Sequence, residues 1–192
     1  MRIGILGGTF NPVHNGHIKV VEEAKKQLGL ERIIFMPVQI PPHKPKGALA
    51  SAEDRFKMIE LAISNIPNVE VSRYEIDKNK TSYSIETVEF LKGSCAEDAE
   101  LFFLIGQDML GGLDTWKDID KLLKLCRFVV FNRPGFEKEP LPEGIERIDM
   151  LPVDISSTKI RERVKRQEPI AGLVPEAVEE YISKNNLYKQ AG

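Results

Sequence analysis

"RIGILGGTFNPVHNGHIKVVEEAKKQLGL", residues 2–30, changes hydrophobic rhythm halfway through, and that change decides the architecture. Its first part, "RIGILG" (2–7), is a near-continuous apolar run, as expected of a strand buried on both faces. From residue 17 onward the apolar positions Ile18, Val21, Ala24 and Leu28 fall at helical spacing, and Gly29 supplies a stop. Between them lies a turn rich in Gly, Thr, Asn and Pro. A strand, a tight turn and a helix in so short a span form the opening of a β-α-β unit.

The alternation continues along the chain. "RIIFMPV" (32–38) is expected as a strand, followed by the proline-rich loop "QIPPHKPKGALA" (39–50). "SAEDRFKMIELAISNI" (51–66) reads as a helix, with Ser51 three residues ahead of Asp54 in a capping-box-like start. "VEVSRYEI" (69–76), "ELFFLIG" (100–106), "RFVVFN" (127–132) and "IDMLPV" (148–153) are further expected strands. "SIETVEFLKG" (84–93) and "DIDKLLKLC" (118–126) are expected helices, and "SSTKIRERVKRQ" (156–167) and "PEAVEEYISKNN" (175–186) close the chain as two more. The expected fold is α/β: a Rossmann-like, doubly wound parallel sheet with helices on both faces and a small C-terminal helical region. Residues 1–192 are read as a single domain, with about 156–192 as its helical part. Ligands of such sheets bind beyond the carboxyl ends of the strands.

At 192 residues the chain is long enough for a full core, and 42% hydrophobic with 29% charged residues is ordinary for a globular protein. A formal net charge of -2 excludes a global positive field that would hold a nucleic acid backbone. A local basic cluster still suits a small anion. Cys95 and Cys126 lie far apart, in no metal or redox motif, and read as two reduced thiols. The apolar run at the N-terminus is too short for a signal peptide, and no stretch approaches the ~18 apolar residues of a membrane span. The expected location is cytoplasmic, with no membrane partner; self-association is left open.

Two segments carry chemistry. In "GGTFNPVHNGH" (7–17), Gly7 and Gly8 are expected to allow positive φ and close backbone approach to a ligand, Pro12 to fix the turn and Asn15 to cap the helix. The helix start offers unpaired N–H groups, and His14 and His17 add donors on the same side, an arrangement suited to phosphate. The GxxxxGK[ST] and GxGxxG patterns are absent. His43 is the only other histidine, so a closed zinc set cannot be completed. The bland alternative is a turn with two incidental surface histidines.

The second segment is "DISSTKIRERVK" (154–165). Ser156, Ser157 and Thr158 are capping types, yet the opening turns carry Lys159, Arg161 and Arg163, with Lys165 next. Cations at a helix N-terminus are disfavoured by roughly 0.3–1 kcal/mol each. A bound polyanion would reverse that sign, and hydroxyls, backbone N–H groups and an arginine fork suit a polyphosphate. The alternative is that Glu162 and solvation make the cost negligible. Two anion-friendly helix starts in one chain suggest a nucleotide between them.

Together the segments resemble the nucleotidylyltransferase superfamily, whose H-x-G-H signature matches "HNGH" (14–17) and whose distal S-S/T-x-x-I-R signature is similar to "ISSTKIRERV" (155–164). Within it the chain resembles the bacterial nicotinate-nucleotide adenylyltransferase family from end to end, through "PPHK" (41–44), "TSYSIETV" (81–88), "LIGQDML" (104–110), "TW" (115–116), "NRPG" (132–135) and "LVPEAVEEYISKNNLY" (173–188). One departure is Asn11, where the superfamily often has aspartate; an Asp-type role is therefore not assigned there.

The resemblance implies transfer of AMP from ATP to nicotinate mononucleotide, with Mg2+ accompanying ATP and no protein metal ligand assigned. It implies His14, His17 and Lys44 as the catalytic set. It places Gly7, Gly8, Thr9, Phe10, His14, His17, Ser156, Ser157, Thr158 and Arg161 around the ATP phosphates, Asp108 at the ribose and Arg133 at the adenine. Lys44, Tyr83, Ser84, Trp116 and Lys117 are implied for the mononucleotide. Rival expectations are a related adenylyltransferase acting on nicotinamide mononucleotide or phosphopantetheine, and a non-catalytic nucleotide-sensing module. In the pantetheine enzymes the first histidine of H-x-G-H is typically threonine; here it is His14.

Overall fold

The computed structural model describes residues 1–39, 49–78, 81–131, 141–150 and 153–189. Among them six strands form one sheet: β1 (Arg2–Gly8), β2 (Arg32–Pro37), β3 (Val69–Val71), β4 (Glu100–Gly106), β5 (Arg127–Phe131) and β6 (Ile145–Ile148). Every pair is parallel and the order is β3-β2-β1-β4-β5-β6. Winding therefore reverses between β1 and β4, and the crevice of such a sheet lies beyond the carboxyl ends of those two strands. The expected fold class is what the molecule has.

Side-chain alternation along the strands builds two cores. Phe102 and Leu104 of β4, with Val129 and Phe131 of β5, face one side. There they meet α1 (Asn15–Leu28), α2 (Ala52–Ile63), α6 (Ser157–Lys165) and α7 (Glu176–Lys184) through Val21, Met58, Ile160 and Val178. Leu101, Phe103 and Ile105, with Phe128 and Val130, face the other side, covered by α4 (Ser84–Ser94), α5 (Ile119–Leu125) and a run of 3₁₀ turns at Gln107–Thr115. Strands buried on both faces explain why their sequences read as unbroken apolar runs. The expected helix signals hold at two points. The Ser51 hydroxyl accepts the Asp54 N–H at 3.0 Å and donates to the Asp54 carboxylate at 2.6 Å, and Gly29 closes α1 in the left-handed region at φ 62°.

Two expected strands shift. The run 69–76 stays extended only to Val71; after the Ser72 N–H donates to the Phe35 carbonyl, the backbone turns into a short helix, α3 (Tyr74–Asp77). Glu75 and Ile76 of this helix are both buried. Among the described residues the last strand lies at Ile145–Ile148, earlier than the expected 148–153, and its pairing with β5 runs to Phe131 and Ile148; residues 151–152 of that expected strand lie outside the described residues. Only Ile145 and Ile148 of β6 are buried, too sparse an apolar signal to read. Cys95 and Cys126 are free thiols, and burial pushes the Cys126 thiol up to about 12. Among the described residues no helix is long and apolar enough to cross a membrane.

Ile182 of α7 is 2% exposed within the first core. Ile182→Ala is expected to lower stability by about 2–5 kcal/mol, read as a lower urea midpoint at unchanged slope.

Candidate functional site

The chain leaves β1 through a turn that differs from its sequence expectation. Gly7 and Gly8 do not take positive φ; they remain in the strand, paired with Met36 and Pro37. The left-handed residue is Phe10, at φ 50°. A bulky residue there is strained, and packing holds it: the ring is 3% exposed, 5.1 Å from the His17 ring and 5.2 Å from that of Phe35. Gly8 is needed for room rather than for rotation, since a Cβ there would lie 3.0 Å from the Phe10 ring.

His14, not Asn15, is the N-cap of α1. The Asn15 amide is used elsewhere: its Nδ2 donates to the Gly172 carbonyl at 2.8 Å, and its backbone N–H to Leu173 at 2.9 Å. The His14 N–H donates to His17 Nδ1 at 3.1 Å, and the two ring centroids lie 3.7 Å apart. With Nδ1 accepting, the imidazole proton of His17 belongs on Nε2, which makes the ring a neutral donor. Gly16 permits this stack, because a Cβ there would come within 2.9 Å of His14 Nδ1.

The distal segment meets this turn directly. The Ser157 hydroxyl donates to the Pro12 carbonyl at 2.9 Å, and Arg161 Nη1 donates to the Asn11 carbonyl at 2.9 Å. Arg161 Nη2 reaches Thr158 Oγ1 at 3.3 Å, and Ser156 caps α6 by accepting the Lys159 N–H. Thus α1 and α6 begin side by side, and their orphan N–H groups share one region. Lys159 is drawn off to Asp154, 2.6 Å away. Asn11 is 1% exposed, its Oδ1 accepting from the Ala50 N–H at 3.0 Å and from the Tyr188 hydroxyl at 2.9 Å.

Sequence reasoning gave no role to Tyr188 or to Arg55. Burial pushes the Tyr188 phenol above its ordinary range. Arg55, on α2, is 1% exposed and donates to the carbonyls of Thr9 (2.9 Å), Gln39 (3.0 Å) and Ala50 (3.3 Å). Its only sequence signal is a cation interrupting the buried face of a helix, beside Met58 and Ile59.

A second group lies across the switch point. Lys117 Nζ sits 4.5 Å from the centre of the Tyr83 ring and 3.7 Å from Glu86 Oε1, joining the end of the 3₁₀ run to the start of α4 at Ser84. Trp116 is half-buried, edge-on to Phe103 (5.8 Å) and Phe128 (5.9 Å). Phe103 links the two groups, since a Cβ on Gly7 would rest 3.5 Å from its ring. Asp108 is exposed at the first turn after β4. Beneath this group Glu75 is buried, one oxygen 2.5 Å from the Thr87 hydroxyl, and burial raises its pKa. Lys44 and Arg133, with His43, lie outside the described residues.

The chain matches a family model described as cytidylyltransferase-like over residues 5–163. It is 42% identical to a probable nicotinate-nucleotide adenylyltransferase of Clostridium botulinum and 41% identical to the nicotinate-nucleotide adenylyltransferase of Bacillus subtilis, with 98% of each chain covered in both cases. The solved Plasmodium falciparum nicotinic acid mononucleotide adenylyltransferase complexed with NaAD has a TM-score of 0.80 at 18% identity, over 97% of both chains. At that identity the likeness is one of fold.

Gly16→Ala is expected to cost about 1–3 kcal/mol through overpacking and to displace the His14 ring, seen as shifted imidazole resonances by NMR. Because Glu75 holds its proton more tightly folded than unfolded, the wild type loses stability as pH climbs above the ordinary carboxylate range. Glu75→Gln should therefore gain on the wild type between pH ~4 and pH ~8; an equal offset in urea midpoint at both pH values would contradict this.

Proposed function

The chain belongs to the nicotinate-nucleotide adenylyltransferase family, and from that premise we propose that it transfers AMP from ATP to the phosphate of nicotinate mononucleotide, acting as a single domain in NAD biosynthesis. Pyrophosphate and deamido-NAD are the products. The observation that carries the reading is the pair of bonds from Ser157 and Arg161 to Pro12 and Asn11, which set two phosphate-suited helix starts against each other. Both substrates are soluble metabolites, which suits a cytoplasmic site of action.

The chemistry asks little of a base. The mononucleotide phosphate is already a dianion near neutrality; one of its oxygens attacks the α-phosphorus of ATP, and the bond to the bridging oxygen of the β-phosphate breaks with its electrons leaving on pyrophosphate. What is required is close, in-line placement of two anions and donors for the charge that develops. His17, with its proton on Nε2, would donate to an α-phosphate oxygen, with His14 beside it. Backbone N–H groups just past the strand, at Thr9 and Phe10, would line the same edge.

Thr158 and Arg161 would hold the departing β- and γ-phosphates. Ser156 and Ser157 use their hydroxyls within the protein, so their part would be the N–H groups of the α6 start. Nucleotidyltransferases generally use a divalent metal with ATP. Among the described residues no three His, Cys, Asp or Glu side chains gather to hold one. We infer that Mg2+ arrives as Mg-ATP, held by phosphate oxygens and water.

Across the switch point Asp108 would receive ribose hydroxyls. Trp116 would stack on the pyridine ring, with Tyr83 beside it and N–H groups near Ser84 and Lys117 meeting its carboxylate. Lys44 is assigned to the acceptor phosphate and Arg133 to the adenine by resemblance alone.

His17→Ala is expected to lose at least about 10²-fold in kcat, the scale for one transition-state donor; near-wild-type turnover would remove that residue from the mechanism. The reading as a whole is tested by pyrophosphate release from Mg-ATP with nicotinate mononucleotide, its amide and phosphopantetheine in parallel. Nicotinate mononucleotide should be preferred; preference for another acceptor, or release with none, overturns it.

A further inference from the structure

Arg55 is among the largest fully buried side chains of the described residues, alongside Phe35, Phe102 and Phe128. Buried cations are normally paired with a carboxylate. Here each hydrogen bond ends on a peptide oxygen, and no carboxylate among the described residues forms an ion pair with it. The neighbouring acid, Asp54, faces away to Ser51 and Tyr181. Burial lowers the guanidinium's pKa, yet arginine stays protonated in proteins, so a whole positive charge is held inside with no carboxylate paired to it among the described residues. An apolar side chain of similar volume would serve packing as well or better.

Its placement indicates what the charge does. Nη1 binds the Thr9 carbonyl, and the peptide that carries this carbonyl leads into Phe10, the strained residue of the loop. A trans peptide is planar, with C=O and N–H opposed. Drawing the Thr9 carbonyl inward therefore turns the Phe10 N–H away from Arg55. The other two bonds fix Gln39 and Ala50, on either side of residues 40–48. The Tyr188 hydroxyl, bonded to Asn11, is influenced by Arg55 and Arg161 together, so both cations belong to one electrostatic neighbourhood.

We propose that Arg55 is a positioning residue for the polyphosphate: it fixes the Thr9–Phe10 peptide with its N–H outward and supplies, from behind the loop, a positive charge that a bound anion balances. This rests on the assignment of the ATP phosphates to that loop. It adds a residue that does not touch the nucleotide and sits on an element neither motif contains.

The test compares ATP with adenosine, which has the base and sugar but no charge, as ligands of the full chain, by calorimetry and, for the weaker ligand, NMR titration. The wild type should prefer ATP. Arg55→Met should weaken ATP binding by about tenfold or more, the scale of one charge–charge interaction at an effective dielectric near ~20, while adenosine affinity stays the same. Arg55→Lys, which keeps the charge but loses the planar fork, should recover part of the loss.

A residue that only packs would lower the urea midpoint and weaken both ligands alike, or neither; either result overturns the proposal. If Arg55→Met does not fold, Arg55→Lys decides: selective loss of ATP affinity supports it, and equal or absent loss refutes it. A wild type without preference for ATP would bring down the phosphate assignment and this inference with it. A preference undiminished from the wild type in both variants would bring down this inference alone.

Discussion

Two peptide carbonyls, those of Asn11 and Pro12, hold the molecule's chemistry in register. They belong to the turn after the first strand, and they accept from Arg161 and Ser157, 150 and 145 residues further along. A carbonyl buried in a turn needs a donor, and here the donors come from the helix whose own start suits phosphate. One set of bonds thus satisfies the backbone of one segment and aligns it with the other. The reversal of the sheet between β1 and β4 leaves the space in which this can occur.

Much of this was legible in the residues. Buried parallel strands announce themselves as unbroken runs of Val, Ile, Leu and Phe, and "ELFFLIG" and "RIGILG" lie in the two central positions where such runs are required. The cation-rich start of α6 was legible as a conflict with the helix dipole, and the structure sets that start against the turn of residues 11–12. Ser51 and Gly29 carried their capping chemistry in their identities.

The remainder lay in long-range packing, which periodicity does not encode. Positive φ fell on Phe10 instead of the two glycines because Met36 and Pro37 keep Gly7 and Gly8 in the sheet, and because ring contacts at Phe10 offset the strain. His14 took the cap from Asn15 because the C-terminal loop at Gly172 and Leu173 claimed the asparagine. Strand β6 leaves little trace in the residues because an edge strand with two buried positions barely differs from a loop. Arg55 and Tyr188 become meaningful only once the carbonyls they reach are located.

The bond from Tyr188 to Asn11 spans 177 positions of sequence. A contact closed over so long a loop carries a large entropic cost and forms after the local pairings of the central strands. The surroundings of the buried amide are therefore completed by long-range docking, and any local opening that frees the Tyr188 hydroxyl also takes a donor from Asn11, at the turn that carries the histidines.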